Sequence, residues 1–414
     1  MSNCSFAGLE LKIINKIAFL VHEPVLFAHY SSVWAEMDRD SFVIVLLGSF
    51  VGDGKDAPAG VKDFLIKIRT LGYEFTYLDS LVAKAVKYQY VVSNHKMSGK
   101  SRYPATPLQS LGHKARNAIK LAANAVNRML GIPKQYQLHH LDPVQYLPLQ
   151  AGIKQIRFMY GADISDGWSL DAWNEIYDLF LCHGPNDELQ FKKRFKGKTA
   201  IMGYPRYDSY FSPNLNIDEI VAEFGVDRAK KTILWMPTAD LFGDNVCSIP
   251  YFAKALSSLM RDFNIIVRPH PISFSKDPAG IELLESLGFK IDRDSMRDMN
   301  GLFLLADAIL CDHGGSAFGA LYLGKKLLFL KTPGSDSAAV AKESSNLELL
   351  KYFPLVEAAD IGNLGALLNN ASYWKERLEL ARALSDRYFA DYRDNSSRKA
   401  ADILGRLDAI LSQP

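Results

Sequence analysis

Two segments about forty residues apart, FNIIVRPHP (263–271) and ADAILCDHGGSAFGALYLGKKLLFL (306–330), constrain this chain more than any other feature. Each is an apolar run of strand length that stops abruptly at polar residues. Uninterrupted runs of this kind belong to parallel strands buried on both faces. Such strands deliver side chains at their carboxyl ends, the edge where open α/β folds take ligands. His270 and the stretch Asp312–Ser316 are therefore expected at one edge of one sheet. In the second segment the turn Gly314–Gly315–Ser316 opens a helical pattern, and the N–H groups of a helix start favour an anion. A phosphate or diphosphate is the expected guest.

The rest of the chain alternates strand and helix. IAFLVHE (17–23) and FVIVLLGSF (42–50) read as strands around a helix at Val25–Glu36, and FLIKIRTLG followed by YEFTYLD continues the alternation. IKQIRFMYGAD (153–163) and EIYDLFLCHG (175–184) are further strand-to-loop transitions, the second leading through a cap at Asn186 or Asp187 into a helix over Asp187–Phe195. A length of 414 residues exceeds what a single core usually serves, so two domains are expected. The mixed, polar stretch before KTILWMPT (231–238) separates them. The division is 1–208 for the first Rossmann-like domain, with a basic insertion at 80–141, then a linker at 209–230, a second Rossmann-like domain at 231–362 and C-terminal helices at 363–414.

Charge is nearly balanced overall, at +2, but unevenly placed. From Ser80 to Leu141 there is no Asp or Glu, against ten Lys and Arg. Within that segment HKARNAIKLAANAVNRMLG (113–131) reads as an amphipathic helix, with Ile119, Ala122, Ala123 and Val126 on one face beside Lys114, Arg116, Lys120 and Arg128. A basic amphipathic helix suits an anionic membrane surface; a solvated helix packed on the first domain is the plainer alternative. Without a recognised motif, the charge does not argue for nucleic acid. The four cysteines have neither zinc nor disulfide spacing, and no run reaches the ~18 apolar residues of a membrane span, so a cytoplasmic protein without signal peptide or transmembrane helix is expected.

GYPRYD (203–208), ILWMPT (233–238), VRPHP (267–271) and the 306–330 segment follow the order and spacing of the CDP-glycerol glycerophosphotransferase family of teichoic-acid and capsule polymer enzymes, which the chain resembles over roughly residues 150–345. The resemblance implies a GT-B fold of two Rossmann-like domains facing across a cleft, a cytidine-diphosphate-activated polyol donor, and a lipid-linked or glycan acceptor reached from the inner membrane face. Two positions depart from the family. Its Trp-His-Gly motif is matched here by MYG, which puts Tyr160 where a catalytic histidine is expected, and its Asp-Tyr-Ser-Ser is matched by DHGGS. The latter leans toward UDP-N-acetylglucosamine 2-epimerases, although IAFLVHEP lacks their opening motif. A nucleotide-sugar transferase and a catalytically retired binding component stand as further alternatives.

The candidate catalytic residues are His270, Tyr160 and Asp312, and the candidate donor-binding residues are Arg268, His313, Gly314, Gly315, Ser316 and Arg206. His270, on a rigid Pro-flanked strand exit, suits proton transfer or phosphate contact. Most of these have a plainer reading. Arg268 could be buried against a carboxylate, Ser316 could be only a helix N-cap, His183 a loop histidine, and Arg206 with Asp208 an interdomain brace. Tyr160, with an ordinary pKa near ~10, is a poor base unless shifted. His22 and Glu23 end the first strand, where an acceptor-side base would sit. Asp38/Asp40 and Asp292/Asp294 form Asp-x-Asp pairs of a kind that chance supplies readily; Asp294 is expected to cap a helix from Ser295. No cofactor or essential metal is expected, with a divalent ion on the donor diphosphate left open.

Overall fold

The computed structural model describes residues 10–47, 60–97, 118, 119, 122, 123, 125, 126, 129, 146–161, 172–239, 245–335 and 345–413. Within these, thirteen strands form two parallel sheets. The first sheet comprises β1 (Lys12–Val21), β2 (Phe42–Leu46), β3 (Phe75–Tyr77), β4 (Val86–Ser93), β5 (Gly152–Phe158), β6 (Leu179–Cys182) and β7 (Lys198–Ile201), in the order β3-β2-β1-β4-β5-β6-β7. The second comprises β8 (Lys231–Met236), β9 (Phe263–Val267), β10 (Lys290–Ile291), β11 (Ala308–Cys311), β12 (Lys326–Leu330) and β13 (Leu355–Val356), in the order β10-β9-β8-β11-β12-β13. Both reverse direction beside their first strand, β1|β4 and β8|β11, which puts a ligand crevice at the carboxyl ends of those pairs.

Local sequence explains the elements. The central strands are apolar on both faces and almost wholly buried, as with Phe42–Leu46 and Ala308–Cys311, because helices cover each side. The helix Val61–Thr70 turns Val61, Phe64 and Ile68 inward at helical spacing.

Several expectations need correction. Residues 86–93, assigned to a basic insertion, are β4 at the centre of the first sheet, paired with β1 and β5. Their Lys87 is part-buried, which lowers its pKa, and its ammonium donates to the Leu149 carbonyl at 2.9 Å. The stretch 209–230, assigned as a linker, contains the helix Asp218–Phe224, whose Ile220 and Phe224 belong to the second core. The helix expected from Ser295 begins at Asn300, because Asp292, Asp294 and Asp298 each accept from the backbone N–H two residues on and hold the chain in successive turns. The helix Pro185–Arg194 is capped by Gly184, with Pro185 in its first turn, in place of Asn186 or Asp187.

The C-terminal helices are shared between the two cores. Helix Ala371–Tyr388 sends Trp374, Ala381 and Leu384 into the second core, whereas helix Ser396–Leu404 sends Ala400, Ile403 and Leu404 into the first. The chain crosses between them at Phe389–Ala390, where the Ala390 N–H donates to the His183 carbonyl at 3.0 Å. Phe389 stacks on Tyr204 at 5.4 Å and packs on Tyr322 at 4.9 Å, so one aromatic cluster ties the crossing to the segment that joins the sheets. Gly184 makes this approach possible: a Cβ there would lie 2.4 Å from the Tyr388 carbonyl oxygen and 2.6 Å from the Phe389 Cα. Both are backbone atoms and cannot swing aside. Gly184→Ala is expected to destabilise the protein by about 1–3 kcal/mol through overpacking, read as a lower urea midpoint. An unchanged midpoint would contradict this account of the crossing.

Candidate functional site

At the second sheet's carboxyl edge, Asp312 follows β11 and is buried, with 8% of its surface exposed. Its Oδ1 accepts the N–H groups of Thr238 and His313 at 2.9 and 2.7 Å, and its Oδ2 accepts that of Ser248 at 2.7 Å. Burial raises its pKa while these donors oppose the rise. The carboxylate therefore gathers the loops after β8 and β11 and the start of helix Ile249–Ser257. These bonds are those of a residue that positions the loops.

The turn it anchors is open. Gly314 has φ +103°, a left-handed conformation suited to glycine, and a Cβ on Gly315 would meet nothing within 4 Å. Gly315 is the N-cap of helix Ser316–Tyr322, so Ser316, expected as a possible cap, is instead its first residue, and its hydroxyl lies beside the Cys311 thiol. His313 stands half-exposed at the head of the turn.

Arg268, at the end of β9, is buried and donates to Asp292 Oδ2 at 2.7 Å and to the Asp294 carbonyl. Arg297 donates to the other oxygen of Asp292 at 2.9 Å, so that carboxylate sits between two guanidinium groups. The plainer reading of Arg268, a side chain buried against a carboxylate, is the arrangement present, with Asp292 as its partner. Among the described residues no three His, Cys, Asp or Glu side chains are grouped to hold a metal ion.

His270 lies two residues beyond Arg268 and is exposed on the rim. Its N–H donates to the Pro237 carbonyl at 3.1 Å, and its Nδ1 accepts the Ile272 N–H at 3.3 Å. With Nδ1 occupied as an acceptor, the neutral ring carries its proton on Nε2, which is then a donor. Partial desolvation, then the nearby Arg268 charge, lower its pKa and keep the ring neutral at pH 7.

The first sheet's carboxyl edge carries its own polar set. His22 follows β1 and His95 follows β4, with their Nε2 atoms 3.1 Å apart. Desolvation pulls His22 down to about 4 and, with the His22 charge, His95 to about 3, so both rings are neutral at pH 7. The Met97 N–H donates to His95 Nδ1 at 3.0 Å, which puts the shared proton on His95 Nε2. Tyr160, beyond β5, packs edge-on against His29 at 5.5 Å, and burial raises its phenol above the ordinary value. A phenol so shifted stays protonated near neutral pH. Tyr160 is thus the poor base that its ordinary pKa already implies. His183 is wholly buried with Nδ1 2.9 Å from Asp187 Oδ2 and its ring against Tyr204, a structural pair in place of a loop histidine.

Arg206 and Asp208 diverge: the Asp208 carboxylate accepts the Ser397 N–H at 2.5 Å, while Arg206 Nη1 lies 3.3 Å from His29 Nε2. His29 and His95 were not among the sequence candidates. His95 carried the same signal as the others, a buried run (VVS) ending in polar residues, but it lies inside the acid-free segment that drew attention to charge.

The family model for CDP-Glycerol:Poly(glycerophosphate) glycerophosphotransferase matches residues 74–398. Among solved structures, the wall teichoic acid polymerase TagF is similar with a TM-score of 0.59 at 16% identity, over 96% of this chain and 90% of that one. S. aureus MnaA with UDP is similar with a TM-score of 0.54 at 13% identity, over 97% and 99% of the two chains. Anabaena HepE with UDP and glucose is similar with a TM-score of 0.50 at 13% identity, over 96% and 100%. At these identities the likeness establishes the double-sheet α/β fold that GT-B enzymes share. No curated protein sequence matches the chain.

Proposed function

The chain belongs to the CDP-glycerol:poly(glycerophosphate) glycerophosphotransferase family, and from that premise we propose how its own residues would carry out polyol-phosphate transfer. It is a glycerophosphotransferase-like enzyme that takes a nucleotide-activated donor. The observation that carries the reading is the family match, which spans the second sheet and the open turn at Gly314–Gly315.

In this reading the donor diphosphate lies over the turn His313–Ser316, and an acceptor hydroxyl enters from the first domain. The acceptor oxygen bonds to the phosphorus that bears the glycerol, the bond from that phosphorus to the CMP oxygen breaks, and the hydroxyl proton passes to the departing CMP phosphate or to water. His270 acts as a hydrogen-bond donor through Nε2–H to a phosphate oxygen; its neutral state and occupied Nδ1 support this over a role as base. Asp312 holds the turn in place without touching the substrate. A nucleotide-sugar transferase using the same cleft is the second reading, favoured by the UDP-bound neighbours. The products separate the two, because phosphoryl transfer releases a nucleoside monophosphate and sugar transfer a diphosphate. His270→Ala is expected to slow CMP release from CDP-glycerol by about 10²–10³, as for loss of one preorganised donor, with the fold checked by circular dichroism. Near-normal turnover would remove His270 from the chemistry.

The acceptor in this reading is lipid-linked or a glycan, reached at an anionic membrane surface. No helix among the described residues is long and apolar enough to cross a membrane. The described positions 118, 119, 122, 123, 125, 126 and 129 are helical, and Ile119 and Met129 are 70% and 78% exposed. That unburied apolar side supports peripheral contact; Lys114, Arg116, Lys120 and Arg128 lie outside the described residues. Changing those four to Glu is expected to abolish salt-sensitive flotation with anionic liposomes while leaving donor binding intact. Flotation unchanged by the four reversals would make the segment an ordinary surface helix.

A further inference from the structure

Between the two sheets lies a cavity of about 250 Å³, lined among others by Ser31, Ser32, Lys67, Arg206, Ser209 and Asp298. Its charges do not balance locally. The Asp298 carboxylate is satisfied by neutral donors, accepting from Ser209 Oγ at 2.7 Å and from the Asn300 N–H at 3.0 Å. Arg206 forms no ion pair among the described residues; its Nη1 faces His29, a ring held neutral by burial and then by the guanidinium itself, and its Nε is buried without a partner. Lys67 lies over the Phe27 ring at 4.3 Å and likewise has no carboxylate partner among the described residues. Arg268 and Arg297 are both ion-paired, Arg268 with Asp292 and Arg297 with Asp292 and Glu223. A guanidinium partly removed from water with no counter-charge is costly unless an anion joins it.

We infer that this cavity is a phosphate-ester subsite on the acceptor side of the cleft, held by Arg206 and Lys67 with the hydroxyl of Ser31 as a further donor, while Ser32 Oγ donates to the Pro205 carbonyl at 3.4 Å. The cavity falls below the ~300–1,000 Å³ of sites for drug-sized ligands, which suits one phosphate with a short polyol. Its walls include the first-domain helices Phe27–Glu36 and Val61–Thr70, and it shares no lining residue with the small cavity beside Asp312 and His313. Assignment to the acceptor rests on the transferase reading and moves Arg206 off the donor; the anion site itself does not depend on that reading. A phosphodiester one unit back from the attacking hydroxyl would be gripped here, which would set the register of a growing phosphate-containing chain.

Thermal unfolding of the full-length protein tests this, with inorganic phosphate titrated against chloride at matched ionic strength. Phosphate is expected to raise the wild-type midpoint, and Arg206→Gln and Lys67→Gln each to weaken its apparent affinity by about tenfold. Glycerophosphoglycerol should show the same dependence on both residues, whereas CMP should not. If both variants respond to phosphate as the wild type does, or the wild type does not respond, the site is absent. If CMP affinity falls in the variants and glycerophosphoglycerol affinity does not, the site serves the donor and the acceptor assignment is wrong. Should Arg206→Gln fail to fold, Lys67→Gln alone decides. These titrations involve no turnover, so their failure leaves the transferase reading standing, and absence of CMP release with phosphate binding intact would overturn only that reading.

Discussion

The Asp312 carboxylate and the three backbone N–H groups it accepts set the geometry on which the rest of the donor side depends. β8 and β11 are neighbours in the sheet but far apart in sequence, and nothing in their pairing fixes how the loops beyond them run. A single buried carboxylate bonded to Thr238, Ser248 and His313 determines both exits at once. Its burial is tolerable because charge-assisted bonds to backbone N–H groups replace the lost water. The open turn at Gly314–Gly315 begins two residues beyond it, with Gly314 in the left-handed region at φ +103°. Trp235 adds a second tie, donating through Nε1 to Ser248 Oγ at 3.0 Å beneath the same loop.

The relation of the two sheets depends on a second constraint, the return of the C-terminal chain. The aromatic cluster of Tyr204, Tyr207, Tyr322 and Phe389 lies where the chain first leaves the first sheet and where it comes back. Cleft and cavity are thereby framed by two passages of the chain rather than one. Arg206 belongs to the first passage, on the short helical turn Pro205–Phe211, so its position is coupled to the packing between the sheets. Buried polar pairs such as His183–Asp187 then serve the scaffold, while His270 is exposed and Arg206 has no ion pair among the described residues.

The sheets were legible in the sequence because parallel strands buried on both faces leave apolar runs that few other structures produce. The exits of β9 and β11 were legible for the same reason. β4 was not: its run VKYQYVVS interleaves a lysine and a glutamine within an acid-free stretch, so charge overshadowed the strand pattern. Side-chain roles were less legible than positions. Arg268 and Asp312 stand at the expected strand ends, yet their partners, Asp292 and the Thr238 and Ser248 amides, come from segments 24 to 74 residues away that no local pattern links to them. Asp294 illustrates a local competition, in which an Asx turn and a helix cap ask for the same residue type and differ only in the path the chain takes beyond it.

The central claim is that the turn beyond β11 binds a cytidine diphosphate donor carrying a polyol. Calorimetric titration of the purified protein with CDP-glycerol and, separately, with UDP-N-acetylglucosamine tests it before any acceptor is known. The account predicts saturable one-to-one binding of CDP-glycerol and at least about tenfold weaker binding of the UDP-sugar, a difference of ~1.4 kcal/mol. Tighter binding of UDP-N-acetylglucosamine, with no heat from CDP-glycerol, would contradict it.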